Sequence, residues 1–321
     1  MSANLAVRPA AGSLGLEELV ERARSYAEQS QSAATIRAYA TDLRDFRAFC
    51  DDHGLCSFPA TSQTIAEYVA HLAQRAKVST IRRRLAAISV FHQRAGHESP
   101  CAHRIVRDVV RGISREKGVA PAKKDAATTD VIRTLLLAIE GDDAAAWRDR
   151  SILLLGFAAA LRRSELAALR VEDLRWTKQG LLVLIRRSKT DQLGEGVELA
   201  VPFVDNEPMC AARTVRRYLA VANIKSGPVF RALTMDRELT DHAIDGEAVA
   251  SLVKRLAKRA RLAGNFSGHS LRAGFATSAA AAKVSLDAIA RTTRHKSLSV
   301  LLGYVRPAQA FHDVALTTIF A

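Results

Sequence analysis

Apolar side chains recur every three or four positions through most of the first third of the chain, the period of one helix face. Ile36, Tyr39, Leu43, Phe46 and Cys50 form one such stripe, opened by Ser32 as a cap and stopped by Gly54. The pattern resumes after Pro59 at Ile65, Tyr68, Val69 and Leu72. Ser79 opens a further stretch through Leu85, Ile88 and Phe91 that Gly96 ends, and Ile105, Val106, Val109, Val110 and Ile113 make one more. With residues 16–27, about five short helices are predicted, enough for a compact all-α domain over 13–116 behind a flexible tail at 1–12.

Residues 117–127 carry Gly118, Pro121 and mixed charge without apolar period, so they read as a linker. Beyond it, at 128–321, the period of a helix returns, first from Thr128 or Thr129 to Ile139 and then over 144–160. The β-branched runs at 181–185 and 197–201 flank a polar stretch around Ser188, Lys189 and Gly194, which predicts a β-hairpin. Helices are predicted again over 208–222, 247–263, 269–282, 285–292 and 297–304. The fold class is therefore mainly α, in two domains, the second with a small antiparallel sheet.

Composition narrows the partner. The 321 residues are 48% hydrophobic and 25% charged, ordinary for a globular chain, and their number suits two domains. The longest apolar run, 152–161, is about half of a membrane span. The N-terminus lacks the basic start and apolar segment of a signal peptide, so a cytoplasmic protein is expected. Cys50, Cys56, Cys101 and Cys210 form no CxxC pair, and no histidine stands at zinc-finger spacing from them, which argues against a metal or disulfide framework. The formal charge of +14 is spread over both domains: residues 1–120 hold 17 basic and 12 acidic side chains, the remainder 30 and 21. A polyanion gripped by both domains, duplex DNA above all, fits that distribution. Arg82, Arg83 and Arg84 are the densest basic run of the first domain and are expected to touch phosphate.

No phosphate-binding loop, dinucleotide fingerprint, HExxH or EF-hand loop is present, so no nucleotide cofactor or dedicated metal is expected. What remains is a series of basic residues closed by a tyrosine. Arg162 stands where an apolar helix meets a new helix start, followed by Glu165. Lys189 lies in the hairpin turn. His269 and Arg272 share one face at the start of a helix, and His295 precedes another, nine residues before Tyr304. Two arginines can bind two phosphate oxygens each. His269 can add a hydrogen bond to a phosphate or take a proton from a tyrosine.

The boxes Ala160-Leu161-Arg162-Arg163-Ser164-Glu165-Leu166, Ser188-Lys189-Thr190, His269-Ser270-Leu271-Arg272 and His295-Lys296-Ser297 through Tyr304 resemble, in order and gaps, the tyrosine site-specific recombinases, or phage integrase family. The wording around Phe58-Pro59 and Phe91 is nearest to Cre-like members. The resemblance implies a SAM-like core-binding domain followed by a catalytic domain, with Arg162, Arg272, His269 and His295 on the scissile phosphate. It further implies Lys189 as the acid that protonates the departing 5′ oxygen, Glu165 as a support, and Tyr304 as the nucleophile. A homotetramer on two double-stranded DNA sites, few accessory proteins and exchange through a Holliday junction follow from it. A type IB topoisomerase-like enzyme and an inactive DNA-binding protein of the same fold are the rival readings. One departure stands out: the family usually carries glycine where Arg294 precedes His295, which bears on the backbone at that histidine. After Pro307, the spacing of Phe311, Val314, Ala315, Thr318 and Ile319 predicts a short amphipathic helix, which the resemblance assigns to a neighbouring protomer.

Overall fold

The computed structural model describes residues 22, 33–118, 124–186, 196–295 and 301–304. The chain divides into two compact units, Met1–Pro121 and Ala122–Ala321. Four α-helices build the first: α1 (Ala33–Asp52), α2 (Ser62–Ala73), α3 (Val78–Arg94) and α4 (Arg104–Lys117). Helix α1 packs on α3 and α2 on α4, because the predicted stripes meet in one core of Phe46, Cys50, Ile65, Tyr68, Leu72, Ile81, Ile88 and Val106. Local chemistry sets the ends. Thr61 Oγ1 accepts from the Thr64 amide at 3.1 Å and starts α2, while Gly54 takes φ 65° just past α1. The buried His92 ring accepts from the Ala60 amide at 3.0 Å and pairs with the Ile88 carbonyl at 2.9 Å, tying the turn before α2 to α3.

The second unit surrounds α6 (Ala144–Ala158), which follows α5 (Thr129–Leu137). Helix α6 buries Ile152, Leu153, Leu154 and Leu155 in succession, so it is apolar on every side, as a central helix must be. It packs on α8 (Ala211–Val221) and on α10 (Gly268–Ala281). Two glycines make the contacts with α10 possible. A Cβ on Gly156 would lie 2.7 Å from Leu271 Cδ1, and one on Gly274 would lie 1.9 Å from the Ala127 carbonyl oxygen. The extended segment entering α5 is therefore laid directly across α10, where the Ala127 amide donates to the Ser270 carbonyl at 2.9 Å.

The expected hairpin is present and larger than the sequence suggests. Strands β2 (Gly180–Ile185) and β3 (Val197–Pro202) pair antiparallel, with Leu181 opposite Val201 and Val183 opposite Leu199 on the core side. A three-residue strand, β1 (Leu174–Trp176), adds to the edge of β2, and β4 (Arg231–Leu233) pairs with β5 (Leu239–Ala243) as a separate ribbon. The segment predicted over 144–160 stops at Ala158, because Ala160 turns left-handed at φ 47°. That turn leads into α7 (Arg163–Ala168), which packs on α9 (Gly246–Arg259). Helix α11 (Leu286–Thr293) and a helical segment at 301–304 close over α10, burying Ile289 and Leu301 with Ala276 and Ala280. Among the described residues, no helix is long and apolar enough to cross a membrane.

Candidate active site

Four separate pieces of chain converge on one pocket of the second unit. Arg162 caps α7, where its backbone amide donates to Glu165 Oε2 at 2.8 Å and its Nη1 to Oε1 at 2.5 Å. Arg272, one turn into α10, is 2% exposed and donates from Nη1 to the Ala160 carbonyl at 2.8 Å. The left-handed turn at Ala160 is thus what presents an acceptor to that guanidinium. Its Nη2 is buried and finds no acceptor among the described residues.

His269 stands at the start of α10, and its Nε2 lies 2.7 Å from the Tyr304 hydroxyl oxygen. Burial, then the charges of Arg272 and Arg162, hold its pKa below the ordinary imidazole value. It is neutral at pH 7 and free to accept the phenol proton. Tyr304 is held from behind, its ring packed with Ala276, Ile289 and Leu301 and its carbonyl accepting from Thr277 Oγ1 at 3.3 Å. Burial holds the phenol pKa above its ordinary value, and the nearby Arg272 offsets only part of that rise.

His295 stacks on the Tyr304 ring with centroids 5.7 Å apart. Its Nδ1 lies 2.8 Å from Thr293 Oγ1, whose own proton goes to the Ile289 carbonyl at 2.7 Å, so Nδ1 is the donor. Burial, followed by Arg272, Arg162, His269 and Arg294, pushes its pKa down to about 4. The same crowding, with burial first, lowers Arg272 to about 10.

The pocket holds two residues to which the motif reading assigns no part. Arg294 caps α11 in the left-handed region at φ 53°, ψ 43°, which costs a residue with a Cβ about 1–2 kcal/mol. Its side chain is 9% exposed and donates from Nη2 to Glu165 Oε2 at 2.6 Å. Thr293 is a second such residue; nothing in a lone helical threonine announces a contact with the next histidine.

Arg162, His269, Arg272, His295, Tyr304 and the supporting Glu165 are brought together. Lys189 lies outside the described residues, between the paired strands β2 and β3, and the predicted helix after Pro307 lies outside them as well. The first-unit arginines divide. Arg82 is exposed. Arg83 reaches Asp42 Oδ1 at 3.1 Å with its side chain half exposed. Arg84 points inward to Asp45 and donates to the Tyr68 hydroxyl oxygen at 2.9 Å, so its guanidinium has partners within the fold.

Three guanidinium groups and one carboxylate, facing a phenol held against a neutral imidazole, can bind a phosphodiester and offer it an oxygen nucleophile. That chemistry and the two-unit helical fold define a class of DNA strand-transfer protein. The chain matches the Phage integrase family over residues 126–310 and the N-terminal SAM-like domain of phage integrases over 24–99. It belongs to that family, the tyrosine recombinases. The integrase/recombinase xerD homolog of Selenomonas ruminantium is 37% identical over 308 residues, covering 95% of this chain and 90% of that protein. Recombinase cre of Escherichia phage P1 is 27% identical over 300 residues, covering 87% and 85%. A lambda integrase tetramer bound to a Holliday junction shares the fold at a TM-score of 0.62 and 14% identity, covering 92% of this chain and 78% of that one.

Proposed function

We propose that this recombinase cuts and rejoins duplex DNA at a specific site through a 3′-phosphotyrosyl link to Tyr304. The observation that carries the reading is the 2.7 Å contact between the Tyr304 hydroxyl and His269 Nε2, in a pocket whose positive charge exceeds its negative charge. Arg162 and Arg272 clamp the scissile phosphate, and their hold strengthens as charge builds on its oxygens in the transition state. Tyr304 passes its proton to His269 and attacks phosphorus. The bond from phosphorus to the phenol oxygen forms as the bond to the 5′ oxygen breaks, and that oxygen leaves with a proton from Lys189. His295 supports the same phosphate once the bound anion draws a second proton onto its ring, so that Nε2–H donates to a phosphate oxygen while Nδ1–H keeps Thr293. Rejoining runs in reverse with the 5′ hydroxyl of a second strand, so the phosphoester count is conserved and no nucleotide is consumed.

The first unit, at 13–116, lies on the DNA, with Arg82 and Arg83 as candidate phosphate contacts, and the enzyme works on DNA of the cytoplasmic compartment. A homotetramer on two sites, exchanging strands through a Holliday junction, is the assembly we propose, supported by the lambda integrase complex of the same fold. Supercoiled plasmids carrying one or two copies of the recognised site test it. Recombinant circles from the two-site plasmid alone are expected. Relaxation of both plasmids without recombinants would make the enzyme a topoisomerase, and neither product would make it a binding protein.

A further inference from the structure

Helix α11 ends on a residue whose conformation favours glycine, yet the position is filled by Arg294 at φ 53°. The side chain does not return to water. It is buried, and its Nη2 reaches Glu165 across 129 residues of sequence. A left-handed backbone and a desolvated charge both weigh against the residue, and capping its own helix requires neither.

The contact changes the state of Glu165. That carboxylate already takes the Arg162 amide on Oε2 and Arg162 Nη1 on Oε1, and its side chain is 2% exposed. With Arg162 as its only partner, the pair would be electrically closed and Arg272 would be the one uncompensated cation of the described pocket. Arg294 takes a share of Oε2 as well, so that the described pocket holds three arginines and a single buried carboxylate, with Arg272 bonded to the Ala160 carbonyl instead. Arg294 Nε and Nη1 are themselves buried without an acceptor among the described residues, so the guanidinium is held by Glu165 alone.

We propose that Arg294 is a positioning residue of the cleavage step, which anchors Glu165 from α11 and thereby keeps the Arg162 guanidinium turned to the scissile phosphate. This rests on the reading of Tyr304 and Arg162 given above. It also couples the end of α11, where His295 follows, to the start of α7, so that the histidine and the arginine reach one phosphate in register.

Single-turnover cleavage of a nicked half-site at saturating DNA tests it, with half-site affinity and melting temperature measured on the same proteins. Arg294→Gly should cleave at least about tenfold more slowly with unchanged affinity. Its melting temperature should hold or rise, since glycine relieves the left-handed backbone. Arg294→Lys should recover part of the rate. The double variant Glu165→Gln with Arg294→Gly should be no slower than Glu165→Gln alone, because the effect passes through Glu165. A wild-type rate for Arg294→Gly, a slowing matched by lost affinity or melting temperature, or losses that multiply in the double variant would each overturn the proposal. Tyr304→Phe is run beside them: a covalent adduct there overturns the underlying reading, whereas failure of the Arg294 variants alone leaves Tyr304 in place.

Discussion

Each unit of this recombinase contains a tyrosine set against arginines and a buried carboxylate, and the two clusters differ in how their charges close. In the first, the Tyr68 hydroxyl donates to Asp45 Oδ1 at 2.8 Å, and Arg84 and Arg75 converge on the same carboxylate while Arg83 pairs with Asp42. Burial pushes Asp45 up, but the hydrogen bonds from Tyr68 and Arg84 hold it below the ordinary carboxylate range, and burial with the Asp45 bond drives the Tyr68 phenol well above its usual value. A phenol that donates to a carboxylate cannot readily lose its proton, so this cluster is cement. In the second, Arg162 and Arg294 share Glu165, Arg272 donates to the Ala160 carbonyl, and the Tyr304 hydroxyl faces a neutral histidine. Arginine beside tyrosine is common to both; what separates them is an acceptor for the phenol proton and a larger surplus of cation, three arginines to one carboxylate against three to two.

Phenol deletions should break this comparison most sharply. Tyr304→Phe is expected to bind DNA normally and to form no covalent adduct, whereas Tyr68→Phe should keep full activity and lose about 1 kcal/mol of stability, the worth of one hydrogen bond. Denaturing gels and urea melts read the two effects. The arginines come next. Arg272→Ala should slow cleavage by about a hundredfold or more at modest cost in affinity, while Arg84→Ala should leave the single-turnover rate alone and lower stability by about 2 kcal/mol, because Asp45 and Asp42 lose a charged partner.

A proton tests the pocket more gently. His295, pushed to about 4, and His269, also lowered, bind protons more readily in the unfolded chain than in the folded one. Stability without DNA is therefore full above the ordinary imidazole value of about 6.5 and falls as the pH drops from there towards about 4. Urea melts at pH 7.5 and 5.0 should show that loss, smaller in His295→Gln. The least effect is expected from Arg82→Ala, which should weaken DNA binding uniformly across sequences and reduce the salt slope by about one ion.

The division between the two clusters is where sequence reading reached its limit. Helical stripes such as Ile65, Tyr68, Val69 and Leu72 located the first core because period alone decides which face is buried. The order of Arg162, His269, Arg272, His295 and Tyr304 was legible because their boxes, in sequence and gaps, resemble one family. The fate of Arg82, Arg83 and Arg84 was not, since three consecutive arginines cover a wide arc of helix and the partners that draw Arg84 inward lie 39 and 42 residues earlier. Nor was the partner of Arg294: the sequence marks a departure there, but only the close approach of α11 to α7 supplies Glu165. Strands β1 and β4, three residues each, are too short to carry an alternating pattern.

The central claim is that the cluster whose phenol faces a histidine, and not the one whose phenol donates to a carboxylate, makes the covalent bond to DNA. Trapping the protein on a nicked half-site, digesting the complex and mapping the nucleotide-bearing peptide by mass spectrometry tests it directly. The account predicts a single adduct on the phenol oxygen of Tyr304; an adduct on Tyr68 or Tyr218, or a trapped complex with DNA attached to no tyrosine, would contradict it.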